Sequence, residues 1–238
     1  MTNNIRIEAK KSLGQNWLNN PGVLDRIVAA ADVKPTDTVV EIGPGRGALT
    51  ERLVATGAKV IAIEKDHRLL KPLREQFPTV EFIEGDILEI TPPAGKIVAN
   101  IPYYLTSHLI RKITEEWRPE IAVLMVQEEV ARRMMATAPD MNLLALSVQL
   151  YTTPSIVMRV SRGSFRPIPT VDSAVIALVP KDVKGDPLHL LEIAKKAFGQ
   201  KRKQLKATVS IEALERAGIP PAARPQELSV DDWRRLVK

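Results

Sequence analysis

The sequence predicts an α/β protein with a doubly wound, mostly parallel sheet, followed by a small all-helical C-terminal domain. Short apolar runs alternate with helical patterns from about residue 22 to residue 127. A polar residue stands at the end of several of these apolar runs. No strand pattern follows Pro180. Strands that alternate with helices imply right-handed crossovers and parallel pairing. We therefore predict a first domain over residues 1–180 and a helical domain over residues 181–238.

The first part of the chain contains five runs with the length and composition of buried strands. The predicted strands are residues 38–43, 59–64, 80–86, 96–100 and 121–127. The predicted helices between them are residues 47–57, 67–76 and 105–117. The first helix ends at a glycine, which is a typical stop signal.

In the later part of the first domain, strands and helices no longer alternate. Residues 128–138 and 143–152 have helical spacing, whereas residues 155–161 and 173–180 read as strands. A proline-punctuated loop over residues 162–172 separates these two strands. We expect the two strands to pair as a hairpin at an edge of the sheet.

Composition and charge narrow the function classes. The 238 residues carry a net charge of +6, which favours an anionic partner, with nucleic acid first. There is no cysteine, and the three histidines lie far apart, so neither a disulfide nor a metal site is expected. No apolar run has the length of a membrane span, and the N-terminus lacks an apolar signal core. These features predict a soluble cytoplasmic protein.

A glycine-rich turn follows the first predicted strand and opens a helix, in the sequence EIGPGRGALT. Gly43, Gly45 and Gly47 let the backbone turn tightly and approach a ligand closely. Glu64 ends the next strand, 21 residues after Gly43, where a carboxylate can accept hydrogen bonds from ribose hydroxyls. Asp86 ends the third strand and is placed to meet an adenine amino group. The three strand ends predict a nucleoside site at one edge of the sheet.

The spacing of the glycines distinguishes between nucleoside cofactors. A dinucleotide site usually has Gly-x-Gly-x-x-Gly, whereas this chain has Gly-x-Gly-x-Gly, with Glu41 two residues before the first glycine. A carboxylate there disfavours a phosphate and suits a cationic ligand. S-adenosylmethionine carries a sulfonium and an ammonium, so we favour this methyl donor over NAD.

A second motif, VANIPYYLTS, ends the fourth predicted strand at the same edge. The side-chain carbonyl of Asn100 and the backbone carbonyl of Ile101 can accept the two hydrogens of an exocyclic amine and aim its lone pair at a methyl group. Pro102 fixes the backbone, and Tyr103 can stack on a base taken out of its helix. We interpret residues 100–103 as a catalytic motif for amine methylation.

Together these motifs resemble the small-subunit rRNA adenine dimethyltransferases of the KsgA type. The resemblance runs from about residue 10 to the C-terminus. It rests on seven segments in the family's order: KKSLGQNWL, EIGPGRGALT, AIEKD, GDIL, ANIPY, FRPIPTVDSAV and QKRKQL. It implies a class I (Rossmann-like) methyltransferase domain with a small helical C-terminal domain.

The resemblance also implies roles for individual residues. The residues implied to contact the methyl donor are Asn16, Leu18, Gly43, Gly45, Glu64, Asp86 and Asn100. Phe165 would stack on the target adenine opposite Tyr103. The implied substrate is a pair of adjacent adenines in the hairpin loop near the 3′ end of small-subunit rRNA, each receiving two methyl groups. A monomer is expected for an enzyme that docks on a ribosomal particle.

Three features depart from the family pattern. Trp17 stands where phenylalanine is usual, and Thr170 replaces the usual lysine in PIPTVDS. Residues 136–148 lack the common Ser-Lys-x-Tyr-Gly pattern. The first change is conservative, and the other two touch parts expected to face RNA.

Basic residues predict where the RNA backbone is held. The segment KKAFGQKRKQLK contains six Lys or Arg and no acid, and helical spacing would bring some of them onto one face. The predicted phosphate contacts are Lys10, Lys11, Arg132, Arg133, Lys201, Arg202 and Lys203. Aromatic residues make up 4% of the chain, so shape and charge should dominate binding over broad base stacking.

Three alternative functions share some of these features. A large-subunit rRNA adenine methyltransferase of the macrolide-resistance type has the same glycine turn and Asn-Ile-Pro-Tyr motif. A ribosome-assembly factor with secondary catalysis would retain the fold, although the intact Glu64, Asp86 and Asn100 argue against lost catalysis. An NAD-linked oxidoreductase leaves Asn-Ile-Pro-Tyr without a role.

Overall fold

The computed structural model describes Ile5, residues 7–183 and residues 185–237 of the chain. Nine strands lie within these residues. They are β1 (Trp17–Leu18), β2 (Thr38–Ile42), β3 (Lys59–Glu64), β4 (Glu81–Glu84), β5 (Lys96–Asn100), β6 (Ala122–Gln127), β7 (Thr152–Val160), β8 (Phe165–Arg166) and β9 (Ser173–Pro180).

Seven of these strands form one sheet in the order β4-β3-β2-β5-β6-β9-β7. The five strands from β4 to β6 pair in parallel, and β9 pairs with β6 antiparallel. The order of the strands reverses between β2 and β5, which is where open α/β sheets bind ligands. The predicted doubly wound, mostly parallel sheet is confirmed, and β7 and β9 lie side by side at its edge.

Nine α-helices accompany the strands in the described part of the chain. They are α1 (Pro21–Ala30), α2 (Ala48–Ala55), α3 (His67–Gln76), α4 (Thr106–Arg111), α5 (Glu128–Met134), α6 (Leu143–Tyr151), α7 (Pro187–Gly199), α8 (Ile211–Arg216) and α9 (Val230–Arg235). Helix α4 continues into a π-helical turn over Lys112–Trp117, so the predicted helix over residues 105–117 changes its hydrogen-bond pattern halfway. No described helix is long and apolar enough to cross a bilayer.

A second, two-stranded sheet was not predicted. Strand β1 pairs antiparallel with β8, which places Leu18 opposite Phe165 and Trp17 opposite Arg166. Two-residue strands leave too short a pattern in the sequence to be recognised. This pairing brings the N-terminal motif onto the loop that carries Phe165, although almost 150 residues separate them in the chain.

The described residues form two compact units. The first contains residues 5–131 and 155–180, and the second contains residues 132–154 and 181–237. The boundary after Pro180 coincides with the predicted one, but the predicted first domain also included residues 132–154. Helix α6 belongs to the second unit because Leu146 and Leu150 pack in one hydrophobic core with residues of α7 and α9.

Two predicted helical stretches are shorter than expected. The predicted helix 128–138 ends at Met134, before the sequence reaches Pro139. Helix α7 ends at Gly199, and Lys201, Arg202 and Lys203 lie in a turn that Lys203 N–H closes on Gln200 O at 2.7 Å. These three cations therefore do not share a helix face, because the helix ends before them.

Candidate active site

The carboxyl ends of the parallel strands open into a cleft of about 800 Å³ in the first unit. Most of the predicted site residues line it. These are Asn16, Gly43, Gly45, Glu64, Asp86, Asn100, Ile101, Pro102, Tyr103 and Phe165. The structure thus brings together groups from four successive strands and from the N-terminal motif, as the topology requires.

The glycine turn between β2 and α2 forms one wall of the cleft. Gly43 and Gly45 have φ values of +69° and +57°, in the left-handed region that side chains disfavour. A Cβ atom at Gly43 would meet no described heavy atom within 4 Å, so bare backbone faces open space there. At Gly47 a Cβ atom would lie 2.4 Å from the ring of Phe77, so only glycine fits where α2 begins.

Glu64 lies at the end of β3 and is 6% exposed. Its two carboxylate oxygens accept hydrogen bonds from Asp66 N–H at 2.8 Å and from Gly45 N–H at 3.3 Å. Burial raises the pKa of the Glu64 carboxyl, and the two backbone donors oppose that rise. The carboxylate is therefore fixed against the glycine turn, and each oxygen keeps a second lone pair for ribose hydroxyls.

Asp86 follows β4 and faces the same cleft. Its Oδ1 accepts from Leu88 N–H at 3.0 Å, and its Oδ2 pairs with Lys65 Nζ at 2.6 Å. The Lys65 ammonium holds the pKa of the Asp86 carboxyl below its usual value, with help from the Leu88 N–H. Asp86 is thus held as a carboxylate, the form that accepts a hydrogen bond from an adenine amino group.

The N-terminal motif is anchored beside this cleft. Gln15 donates to Asp66 Oδ2 at 2.8 Å and accepts from Lys10 N–H at 2.7 Å. Asp66 also caps helix α3 and receives a two-pronged hydrogen bond from Arg68. One buried carboxylate therefore fixes the N-terminal segment beside the end of β3.

Asn100 ends β5, and its carboxamide has a defined orientation. Its Nδ2 donates to the backbone carbonyl of Asn16 at 3.1 Å, so Oδ1 is the atom that faces other partners as an acceptor. Ile101 N–H continues the sheet by donating to Met125 O at 3.2 Å. The chain then turns at Pro102, whose carbonyl accepts from Leu105 N–H at 2.9 Å. The amide and the following backbone are therefore rigidly placed.

The two predicted stacking residues differ in exposure. Tyr103 is half-buried, and its hydroxyl shares a hydrogen bond of 2.9 Å with Ser173 Oγ. Burial raises the pKa of the Tyr103 phenol, so it stays protonated. Phe165 is 1% exposed and belongs to the hydrophobic core as well as to the cleft lining.

Leu18 does not line this main cleft. It lies in a second cavity of about 410 Å³, which shares Trp17, Gly43, Gly45 and Asn100 with the main cleft. Its side chain is 4% exposed and packs in the hydrophobic core. Any contact from Leu18 to a ligand in the main cleft must therefore come from its backbone and not from its side chain.

Glu41 lies in the wall of the second cavity and is 1% exposed. Burial raises the pKa of its carboxyl to about 8, although the Thr50 hydroxyl donates to Oε2 at 2.6 Å. At neutral pH Glu41 is therefore mainly protonated, and it does not act as the fixed negative charge that the sequence suggested.

Several lining residues were missed by the sequence interpretation. They are Leu13, Gly14, Gln15, Trp17, Ile42, Ile63, Lys65, Gly85, Ile87, Tyr104 and Leu105. Each lies within two residues of a predicted site residue or in the same quoted motif, so widening each motif would have found them. Tyr104 is 53% exposed at the cleft, whereas its neighbour Tyr103 is half-buried.

The predicted phosphate contacts are exposed wherever the structure describes their side chains. Lys10 lies in the first unit, and Arg132, Arg133, Lys201, Arg202 and Lys203 lie in the second. The side chain of Lys11 falls outside the described residues. Within the described part of the chain, no group of three or more metal-ligating side chains is arranged to hold a metal ion.

The sheet, the glycine turn and the carboxylates at successive strand ends define the nucleoside-binding class of Rossmann-like methyltransferase folds. Comparison with solved structures agrees with this class. A dimethyladenosine transferase from Plasmodium falciparum superposes with a TM-score of 0.81 and 30% identity, covering 92% of this chain and 95% of that one. The 23S rRNA methyltransferase ErmE gives a TM-score of 0.78 and 28% identity, covering 93% and 98%.

Sequence comparison specifies the family. The model of the family described as ribosomal RNA adenine dimethylase matches residues 6–238. The ribosomal RNA small subunit methyltransferase A of Dehalococcoides mccartyi strain CBDB1 is 41% identical over 261 aligned residues, covering 99% of this chain and 90% of that protein. The protein of the same name from Thermosynechococcus vestitus is also 41% identical, covering 97% and 96%.

The chain therefore belongs to the ribosomal RNA adenine dimethylase family. This membership confirms the predicted family, the methyltransferase class, the S-adenosylmethionine cofactor and rRNA as the substrate. The NAD-linked alternative is thereby excluded.

Proposed function

We propose that this protein dimethylates the exocyclic amines of two adjacent adenines in the hairpin loop near the 3′ end of small-subunit rRNA. The observation that carries the proposal is the fixed carboxamide of Asn100 at the cleft. Because Nδ2 is engaged by Asn16 O at 3.1 Å, Oδ1 is presented as an acceptor beside the glycine turn and the two carboxylates.

The cleft suits S-adenosylmethionine on structural grounds. Gly43 presents bare backbone with room for a ligand, and Glu64 and Asp86 present hydrogen-bond acceptors to the same cleft. Acceptors of this kind match ribose hydroxyls and an adenine amino group. When bound, S-adenosylmethionine supplies an electrophilic methyl group on its sulfonium.

Asn100 and Ile101 position the nucleophile. The lone pair of an adenine amine is delocalised into the ring, so the amine is weakly nucleophilic. Two carbonyl acceptors, Asn100 Oδ1 and the Ile101 backbone oxygen, accept hydrogen bonds from its two N–H groups. These hydrogen bonds direct the lone pair toward the methyl group. Because these acceptors are preorganised, they stabilise the positive charge that develops on nitrogen without reorganisation.

Proton removal needs no strong base in this arrangement. The amine becomes acidic as it is alkylated, and the cleft lining within the described residues contains no histidine. Asn100 Oδ1 holds one of the amine hydrogens until it leaves to solvent. Tyr103, oriented by its hydrogen bond to Ser173, stacks on one face of the base, and Phe165, which is buried in the cleft lining, turns toward the cleft to contact the other face.

Exposed cations hold the RNA backbone. Lys10 in the first unit and the Lys201–Lys203 segment in the second are exposed, so they can reach phosphates without desolvation. A ribosomal particle is the proposed docking partner, the cytoplasm is the proposed location, and the enzyme is proposed to act as a monomer.

The relatives support small-subunit rRNA over the large-subunit alternative. Both ErmE and the dimethyladenosine transferase superpose well, with TM-scores of 0.78 and 0.81, so the fold does not separate the two substrates. Sequence comparison favours the small-subunit type, since the small-subunit enzymes of Dehalococcoides mccartyi and Thermosynechococcus vestitus are 41% identical over nearly the whole chain.

The experiment is methyl transfer to isolated ribosomal particles. The protein is incubated with labelled S-adenosylmethionine and with under-methylated small or large subunits, and the rRNA is analysed by mass spectrometry. We expect dimethyladenine at two adjacent positions near the 3′ end of the small-subunit rRNA. Methylation of the large subunit alone would instead support the macrolide-resistance type.

A further inference from the structure

Trp17 has a buried polar atom that no described residue satisfies. It is 8% exposed, and its indole N–H makes no hydrogen bond within the part of the chain that the structure describes. Burying a donor without an acceptor is unfavourable, and phenylalanine would place an apolar ring there without that cost. The indole N–H is therefore available to donate a hydrogen bond to a ligand.

The position of Trp17 indicates where that acceptor comes from. Trp17 lines both the main cleft and the second cavity, so its ring stands where the two meet. The edge that carries the N–H faces the glycine turn. A Cβ atom at Gly45 would lie 2.9 Å from Cδ1 and 3.1 Å from Nε1 of the ring.

Arg46 fixes the ring and adds positive charge to it. Its guanidinium carbon lies 3.9 Å from the centre of the Trp17 ring. The Nε and Nη2 atoms of Arg46 both donate to Ile7 O, at 3.2 and 2.6 Å, which ties the guanidinium to the N-terminal segment. A cation stacked on an indole face is favourable, and it makes the surroundings of the N–H attractive to an anion.

The second cavity differs from the main cleft in its charged groups. The main cleft presents the acceptors Glu64 and Asp86, with Lys65 paired to Asp86, whereas the second cavity presents Trp17 and Arg46. Among the described residues that line this cavity, the one acidic side chain is Glu41, which is engaged by Thr50 and is held protonated by burial. This end of the site therefore suits an anionic group, and hydrogen bonds to a charged acceptor are the strong ones.

We propose that the indole N–H of Trp17, with Arg46 stacked on its ring, binds the carboxylate of the amino-acid tail of S-adenosylmethionine. The inference rests on the proposed placement of this methyl donor in the cleft. It assigns to Trp17 a binding role that a phenylalanine at the same position cannot perform.

The test is calorimetric binding of two ligands to wild type and Trp17→Phe. S-adenosylhomocysteine keeps the amino-acid tail, whereas 5′-methylthioadenosine keeps the nucleoside and lacks the tail. We expect Trp17→Phe to weaken S-adenosylhomocysteine about tenfold, or about 1.4 kcal/mol, and to change 5′-methylthioadenosine less than twofold. Equal weakening of both ligands, or of neither, would overturn the proposal.

A third ligand measures the contribution of the carboxylate to binding separately from that of the ammonium. The decarboxylated analogue of S-adenosylhomocysteine should bind wild type more weakly than S-adenosylhomocysteine does, and Trp17→Phe should remove most of that difference. A difference that persists in the variant would contradict the assignment.

Trp117→Phe is the matched control, because this tryptophan does not line either cavity. It should bind all three ligands like wild type. Thermal melting of each variant reports folding separately, so that a loss of stability in Trp17→Phe is not mistaken for a loss of binding. If wild type itself failed to bind S-adenosylhomocysteine, the proposed cofactor site would be wrong, and the Trp17 assignment would fail with it.

Discussion

The cleft of the first unit and the basic turn of the second unit hold their polar groups in opposite ways. In the cleft, Glu64 is 6% exposed and its oxygens are fixed by two backbone donors. In the turn, Lys201, Arg202 and Lys203 are all exposed and lie beyond the end of α7. In the cleft the carboxylate is desolvated but held in a fixed geometry. In the turn the cations stay solvated and contribute only their charge.

This difference separates two tasks. Positioning an amine for methylation requires atoms held within fractions of an ångström, so each buried group should be hard to replace. Holding phosphates through exposed cations is a sequence-independent electrostatic effect, so each cation should matter little and salt should matter greatly. The predictions below test this contrast.

The largest effect concerns the buried carboxyl of Glu41, whose pKa rises from an ordinary 4.5 to about 8. The folded protein keeps this proton up to about pH 8, whereas the unfolded chain releases it above pH 4.5. The contribution of Glu41 to the free energy of unfolding is therefore complete below pH 4.5, and it is lost as pH rises from 4.5 through about 8. The difference between these two pKa values corresponds to about 5 kcal/mol at most.

Glu41→Gln keeps an acceptor for Thr50 and removes this titration. Urea unfolding at pH 5 and pH 9 should show a steeper loss of stability with pH in wild type than in the variant. Parallel pH profiles for the two proteins would show that Glu41 is not buried as described.

Donor binding should depend strongly on Glu64. Replacing it with alanine removes the carboxylate fixed against Gly45, and we expect about 100-fold weaker binding of S-adenosylhomocysteine, which is about 2.7 kcal/mol. Calorimetry measures this directly. Glu84→Ala is the matched control, since Glu84 is exposed at the end of β4 and outside the cleft lining. Similar losses in both variants would contradict a specific role for Glu64.

These two predictions also show what the sequence did and did not reveal. Strand ends, glycine spacing and the Asn-Ile-Pro-Tyr motif are local patterns, so they predicted Glu64, Asp86 and Asn100 correctly as residues of one cleft. The pairing of β1 with β8, the orientation of the Asn100 amide and the protonation of Glu41 arise from contacts between distant segments. No local pattern encodes such contacts, and helix propensity likewise failed at Gly199, where the basic segment leaves the helix.

Exposed cations should give a smaller, salt-dependent effect. Replacing Lys201, Arg202 and Lys203 together with glutamine should weaken RNA binding about tenfold near physiological salt. It should also reduce the slope of log K against log salt by about 2, because each lost phosphate contact removes roughly 0.7–0.9. The turnover rate at saturating RNA should not change.

The matched control removes three exposed cations elsewhere, at Arg26, Lys71 and Arg216. Binding titrations over a range of salt concentrations should leave its slope close to that of wild type. Equal slopes for the two triple variants would mean that net charge, and not the basic turn, governs binding.

The smallest effect concerns the hydrogen bond between Tyr103 and Ser173 at 2.9 Å. Ser173→Ala and Tyr103→Phe each remove it, and we expect each to lower the methylation rate about fivefold, or about 1 kcal/mol. The double variant should be no slower than either single one, because both remove the same interaction. Additive losses in single-turnover assays would show that the two hydroxyls act separately.

The most direct test of the account is the single-turnover rate of Asn100→Ala on under-methylated small subunits at saturating S-adenosylmethionine. Losing a preorganised acceptor at the reacting amine should slow methyl transfer by about 10²–10³-fold. Affinity for S-adenosylhomocysteine should fall less than tenfold. Asn142→Ala, which deletes the same carboxamide from the cap of α6, should keep the wild-type rate. An Asn100→Ala rate within threefold of wild type would contradict the central role given to this amide.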